Sequence, residues 1–246
     1  LPDVALFLGR FEPDAFDNAE QIVVSPGVSV QHPLISEARA RGVEVIGDIE
    51  LFARAVHGCA GVAEGKTPAA IAPTTPVLAI TGSNGKSTVT TLVGEMARNA
   101  GRSVKVGGNL GTPALDLLPA EPAGAEPDLY VLELSSFQLE CTYTLAPRAA
   151  VILNISPDHL DRYSGLDDYA KAKQRIYRDA ELQVVNRDDA YAARLADVAR
   201  PAVGFTLQAP ANGDYGVRSA HGTAWLARGD ELLLPVAEIR MAGRHN

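Results

Sequence analysis

A short apolar strand, a glycine-rich turn and an amphipathic helix follow one another without a gap from residue 77 to residue 100, and nothing else constrains this 246-residue chain as strongly. Val77-Leu78-Ala79-Ile80 runs into Thr81-Gly82-Ser83-Asn84-Gly85-Lys86-Ser87-Thr88. A helix over 86–100 leaves the turn, with Val89, Leu92, Val93, Met96, Ala97 and Ala100 expected on one face and Gly101 as its stop. A strand that feeds a helix through such a turn belongs to a parallel α/β sheet. Its glycines let the backbone curl so that N–H groups face a phosphate, and the helix dipole adds positive potential. Gly82, Ser83, Asn84, Gly85 and Thr88 then line a phosphate site, Lys86 reaches the β- and γ-phosphates, and the Ser87 hydroxyl holds Mg2+. The pattern G-x-x-G-K-S-T is shorter than the standard P-loop, whose first glycine would fall on Ile80. The competing account is a glycine-rich turn before an ordinary helix. With no G-x-G-x-x-G in the chain, ATP is expected rather than a dinucleotide.

Alternation of strand and helix continues on both sides of this motif. Downstream, strands are expected at 77–81, 103–106, 129–134, 149–155, 183–186 and 203–206, with helices at 166–180 and 189–196. Arg228-Gly229-Asp230 between two apolar stretches predicts an antiparallel hairpin. Upstream, the chain opens at Leu1 on an apolar run and reads as starting within a domain. Gln21-Ile22-Val23-Val24 and Val43-Glu44-Val45-Ile46 are strand-like, a helix is expected at 33–41 with Gly42 as its stop, and Asp48 is placed to cap a helix bearing Ile49, Leu51, Phe52 and Val56. The expected class is α/β: residues 1–58 form a partial Rossmann-like domain and 59–76 a linker rich in Ala, Gly, Pro and Thr. Residues 77–246 form a central P-loop domain with a mostly parallel sheet plus a small antiparallel hairpin.

Charge and cysteine usage remove several classes of function. Thirty acidic against 22 basic residues, a net charge of −8, is the wrong balance for a nucleic-acid binder. No apolar run is long enough to span a bilayer, so no membrane partner is expected. Two cysteines, Cys59 and Cys141, make no disulfide framework and fit a reducing cytoplasm.

Three further residues carry chemistry. Glu133 closes the apolar run Leu129-Tyr130-Val131-Leu132, where the carboxyl ends of parallel strands gather ligands; a solvated strand-end carboxylate is the plainer account. The next strand delivers Ser156-Pro157-Asp158-His159 to the same edge, and His159 can ligate a cation or hydrogen-bond a phosphate. Lys173 stands inside an apolar stripe made by Tyr169, Ile176 and Tyr177. Either its ammonium bends out to water along a packed stem, or it reaches the metal site in an altered chemical state.

Taken together, seven ordered blocks resemble the Mur ligases of peptidoglycan synthesis: Gly47-Asp48-Ile49-Glu50-Leu51-Phe52, residues 81–91, Gly107-Gly108-Asn109, residues 132–140, 154–163 and 169–177, and Gly243-Arg244-His245-Asn246. The resemblance implies an ATP-dependent amide ligase that joins D-glutamate to UDP-N-acetylmuramoyl-L-alanine through an acyl phosphate, working as a cytoplasmic monomer. It implies that Lys86 holds the β/γ-phosphates, that Ser87 and Glu133 bind one Mg2+, and that His159 and Lys173 serve a second, with Lys173 converted by CO2 to a carbamate. Asn109, Ser135 and His159 would approach the muramoyl-alanine, Ser25-Pro26-Gly27 the uridine diphosphate, and Asn246 the adenine. It also implies a fuller first domain and a third, amino-acid-binding domain beyond this chain, so that the chain alone is expected to bind ATP·Mg2+ weakly and form no amide. The alternatives are another P-loop acid–amino-acid ligase, of the folylpolyglutamate synthetase kind for example, and a nucleotide-binding module without catalysis.

Overall fold

The computed structural model describes residues 5–57, 75–119 and 125–239. In the first stretch α1 (Asp14–Asp17) precedes β1 (Gln21–Val24), α2 (Pro33–Ala40), β2 (Glu44–Gly47) and α3 (Asp48–His57). Pro33 occupies the first turn of α2, where its fixed φ suits the helix and its missing N–H costs nothing, and Gly42 ends the element at φ +90°. The strands pair in parallel from Gln21↔Glu44 to Val24↔Gly47 over a small core of Val24, Ile35, Val45 and Cys141. Burial pushes the Cys141 thiol up to about 11, so it packs and does not react. The cap expected of Asp48 is replaced by a different use. Asp48 is the first residue of α3 itself, and its Oδ2 accepts from Gln138 Nε2 at 3.0 Å, tying α3 to the following unit.

The second unit continues with β3 (Val77–Thr81), α4 (Lys86–Asn99), β4 (Val104–Gly108), β5 (Leu129–Glu133), α5 (Ser136–Glu140), β6 (Ala149–Ile152), α6 (Leu166–Gln174), β7 (Gln183–Asn186), α7 (Ala190–Ala193), β8 (Ala202–Phe205), β9 (Tyr215–Ala220), β10 (Thr223–Arg228) and β11 (Glu231–Pro235). One sheet takes them in the order β11-β10-β9-β8-β7-β6-β3-β5-β4, parallel from β4 to β9 and antiparallel from β9 to β11. β3 lies between β5 and β6, so the chain winds away from it in both directions. Their carboxyl ends therefore frame the switch-point crevice where such sheets bind ligands.

Period-two alternation sends Val77, Ala79, Tyr130, Leu132, Ala150 and Ile152 into one core layer and Ile80, Val131 and Val151 into the other. The first layer also takes Ile49, Phe52 and Val56 of α3, with the Phe52 and Tyr130 rings edge to face at 5.1 Å. Fully buried Glu50 accepts from the Tyr143 and Thr144 amides at 2.7 and 2.9 Å and from Arg54 Nε at 2.9 Å, so α3 is fastened to the central unit by polar as well as apolar contacts.

Several expected bounds shift. α4 packs through Val89, Thr90, Val93, Gly94 and Ala97, while Leu92 and Met96, expected on its buried face, are 37% and 63% exposed. The reason is Gly94, where a Cβ would fall 2.6 Å from Val106 Cγ2. The helix comes so close to β4 that only a narrow ridge fits beneath it. Gly94→Ala is therefore expected to destabilise the unit by about 2 kcal/mol, read as a lowered urea midpoint at unchanged slope. α6 stops at Gln174 and tightens into a 3-10 turn over Arg175–Tyr177 instead of running to 180, and β6 ends at Ile152 rather than 155. The helix expected at 189–196 is four residues long, capped by Asp189. Of the linker expected at 59–76, residues 59–74 lie outside the described residues. Among the described residues no helix is long and apolar enough to cross a membrane.

Candidate functional site

The turn after β3 is braced by its neighbours as well as by its own contacts. Gly85 sits at φ +79°, a left-handed conformation that glycine adopts without strain, and starts α4 directly at Lys86. Asn154, just past β6, clamps the turn from the side: its Oδ1 accepts from the Asn84 amide at 2.8 Å and its Nδ2 donates to the Asn84 carbonyl at 3.0 Å. The Ser83 amide donates to the Asn154 carbonyl at 3.0 Å, and the Ser83 hydroxyl accepts from the Ser156 amide at 2.9 Å. Lys86 Nζ folds back onto the Ser83 carbonyl at 3.1 Å. Thr88 lies exposed in the first turn of α4.

At the mouth of this turn, Glu133 is 2% exposed. Its Oε2 accepts from the Ser87 hydroxyl at 2.8 Å and its Oε1 from Asn109 Nδ2 at 3.0 Å. The Asn109 amide donates to the Glu133 carbonyl at 2.8 Å, which fixes the end of β4 against β5. Two hard oxygens, a carboxylate and a hydroxyl, thus face the start of α4. Among the described residues no three His, Cys, Asp or Glu side chains gather as a metal cluster. The donor set fits an ion such as Mg2+, which keeps water and substrate phosphate in most of its positions and needs few protein ligands.

Lys173 does not reach for water. At 2% exposure its Nζ points inward, donating to the Gly82 carbonyl at 2.9 Å and to Thr81 Oγ1 at 3.2 Å, 4.7 Å from the centre of the Tyr169 ring. Burial, and after it the charge of Lys86, brings this amine down to about 7, while Asp158 and Glu133 pull the other way. Lys171, two residues earlier, is exposed and pairs with Asp168 at 3.7 Å. Tyr169 completes the wall, its hydroxyl 3.2 Å from that of Ser83.

His159 stands at the rim, its side chain 46% exposed and its ring 4.8 Å from that of Phe137 and 6.3 Å from that of Tyr169. The turn Ser25-Pro26-Gly27 reaches the same rim, because Arg162 donates to the Pro26 carbonyl at 2.9 Å. Ser135 caps α5: its hydroxyl accepts from the Gln138 amide while Gln138 Oε1 accepts from the Ser135 amide. Asn246 lies outside the described residues. The structure therefore brings Lys86, Ser87, Asn109, Glu133 and Lys173 around one turn, with His159 and the 25–27 turn at its edge. Asn154 and Ser156, which brace the turn, and Arg162 at the rim are the contacts that sequence reasoning missed. A polar residue directly after a buried strand adjoining the P-loop strand was the available signal for Asn154.

Such a sheet and turn, with a buried glutamate and a buried lysine beside the turn, define a P-loop α/β protein. The chain belongs to the Mur ligase family: the Mur ligase middle domain model matches residues 80–246, and the model of the MurD-like N-terminal domain matches residues 1–47. A relative named UDP-N-acetylmuramoylalanine–D-glutamate ligase, from Nitrosococcus oceani, is 53% identical over all of this chain and 49% of its own length. Another of that name, from Methylobacillus flagellatus, is 48% identical over all of this chain and 50% of its own. The chain spans about half the length of the curated relatives it matches. Among solved structures, UDP-N-acetylmuramate:L-alanyl-gamma-D-glutamyl-meso-diaminopimelate ligase from Neisseria meningitides superposes with a TM-score of 0.60 at 17% identity, over 96% of this chain and 73% of that one, a likeness of fold.

Proposed function

We propose that this chain carries the acceptor-facing and ATP-handling parts of an ADP-forming amide ligase, which joins D-glutamate to UDP-N-acetylmuramoyl-L-alanine in peptidoglycan precursor synthesis. One observation carries the reading: Lys86, the Ser87–Glu133 pair and an inward-turned Lys173 surround a single phosphate-type turn at the sheet's switch point. The relatives with 53% and 48% identity, of whose length this chain spans about half, support the choice of substrates. Within this reading residues 1–58 form the UDP-substrate unit and 77–246 the ATP unit, joined by 59–76. A cytoplasmic location and a monomeric state belong to the same proposal.

In the reaction a carboxylate oxygen of the acceptor attacks the γ-phosphorus of ATP and ADP leaves. The amine of glutamate then attacks the acyl carbon, and the tetrahedral intermediate collapses with loss of phosphate. The backbone of residues 82–88 cradles the phosphates, and the Lys86 ammonium offsets charge on the transferring group. Ser87 and Glu133 would hold one Mg2+, and His159 and Lys173 a second. Mg2+ bound by these residues would supply charge that lowers the repulsion between two anionic reactants. Lys173 suits that place only as an oxygen donor. Its neutral amine adds to CO2 with loss of one proton, giving a carbamate, and a pKa near 7 leaves the lone pair available for that addition. Asn109, Ser135 and His159 orient the muramoyl-alanine end, Ser25-Pro26-Gly27 the uridine diphosphate, and Asn246 the adenine.

The test uses the protein at the full length of its relatives. Phosphate release should require ATP, UDP-N-acetylmuramoyl-L-alanine and D-glutamate together, and a folate acceptor should give none. Release with the folate acceptor, or ATP binding without any acceptor-dependent release, would replace this reading with one of its rivals.

A further inference from the structure

Arg162 lies three residues beyond His159 and has no part in the chemistry above. Its Nη1 donates to the Pro26 carbonyl at 2.9 Å and its Nη2 to the Val28 carbonyl at 3.1 Å. Nη2 also pairs with Glu140 Oε2 at 2.7 Å, and the guanidinium carbon stands 4.0 Å from the centre of the Phe137 ring. That ring in turn meets the His159 ring at 4.8 Å. The side chains of Arg162 and Glu140 are only 12% and 14% exposed. One planar cation thus joins the 25–28 turn of the first unit, the end of α5 in the second, and the aromatic ring against His159. Its charge is matched by Glu140 and both terminal nitrogens are committed, so it is not itself a diphosphate-binding cation.

We propose that Arg162 is a positioning residue for the UDP-bearing acceptor. It holds the Ser25-Pro26-Gly27 turn at a set reach from His159, so that one acceptor molecule can engage both. The inference rests on the ligase reading, in which that turn takes the uridine diphosphate and His159 the muramoyl-alanine end. A guanidinium is required because two carbonyls and a carboxylate are met in one plane by a rigid fork of donors. An ammonium offers a single point charge. Removing the fork frees the turn without touching the P-loop, Glu133 or Lys173, so acceptor affinity alone should suffer.

Arg162→Ala and Arg162→Lys, each in the protein at full family length, separate this role from a general structural one. In both variants the KM for UDP-N-acetylmuramoyl-L-alanine is expected to rise about tenfold, as for the loss of a charge-assisted hydrogen-bond pair. kcat and the KM for ATP should stay within about twofold of the unaltered protein. Amide exchange at Val28, whose N–H closes the turn onto the Ser25 carbonyl at 2.9 Å, should quicken in Arg162→Ala. A fall in kcat, an equal rise in the KM for ATP, or full function in Arg162→Lys would overturn the proposal, and so would unchanged exchange at Val28. If the unaltered protein releases no acceptor-dependent phosphate, the ligase reading fails, and the exchange measurement still decides whether the latch exists.

Discussion

Lys173→Met is expected to lose turnover by about a thousandfold or more and yet to make the protein more stable at pH 7. Both effects follow from one placement: an amine buried to 2% exposure against the Gly82 carbonyl and Thr81 Oγ1. Burial lowers its pKa from 10.5 to about 7, and each unit by which a buried ammonium falls corresponds to about 1.4 kcal/mol of cost in the folded state. Losing its two hydrogen bonds, each worth about 1 kcal/mol, offsets part of the gain, leaving methionine ahead by about 2 kcal/mol. The advantage depends on pH in a definite direction. Below about pH 7 both folded and unfolded chains hold the proton and the full cost is present. Between about pH 7 and 10.5 the unfolded chain still holds a proton that the folded chain has given up, so the unaltered protein gains stability as pH rises and the gap closes. Urea melts at pH 7 and 9.5 in CO2-free buffer measure this. A methionine variant that is less stable at pH 7, with no convergence on raising the pH, would remove the strained-amine account. Lys173→Ala should lose turnover equally, and short carboxylic acids should restore part of it by supplying the missing oxygen; failure of that rescue would count against the carbamate.

The parallel core was legible because strands covered on both faces read as nearly unbroken apolar runs, and β3 and β5 sit where those runs predict. β9 was not. Tyr215–Ala220 includes Gly216, Arg218 and Ser219, is largely half-exposed, and owes its extended form to six residue pairs with β10, which no local pattern announces. α5 was overlooked although its capping box, Ser135 with Gln138, stands in the sequence; five residues are too few for a helical period to show. The face of α4 was misjudged for the opposite reason. Its period was clear, but the closeness allowed by Gly94 narrows the buried strip and strands Leu92 and Met96 outside it.

The site divides along similar lines. The placement of Lys86, Ser87 and Glu133 around the turn could be read because it depends on position in a motif or at a strand's end. Asn154 and Arg162 act on backbone carbonyls and amides of segments distant in the chain, 70 and 136 residues away. Such bonds leave no period and no spacing to read. The inward turn of Lys173 was half visible: the apolar stripe around it showed a conflict, but only the packing of Tyr169 against the Ser83 turn shows which way the conflict resolves.

Glu133→Gln should produce the other large loss, about a thousandfold in turnover, together with a shift of the Mg2+ dependence to concentrations at least about tenfold higher. Glutamine fits the same buried space, so the sheet and the Asn109 contact have little reason to fail, and what disappears is one negative charge beside Ser87. The substitution also acts on Lys173, in an informative direction. Glu133 raises the pKa of that amine, so its neutralisation leaves Lys173 more fully unprotonated. A loss of turnover in Glu133→Gln therefore cannot come from a protonated lysine and must come from the ion or from the support that the carboxylate gives Ser87 and Asn109. Titrating turnover against Mg2+ tells these apart. A curve displaced to higher Mg2+, with partial recovery at saturation, assigns the carboxylate to the ion. A deep loss with an unmoved midpoint would take the ion away from Glu133 and leave the carboxylate as a support for Ser87 and Asn109 alone.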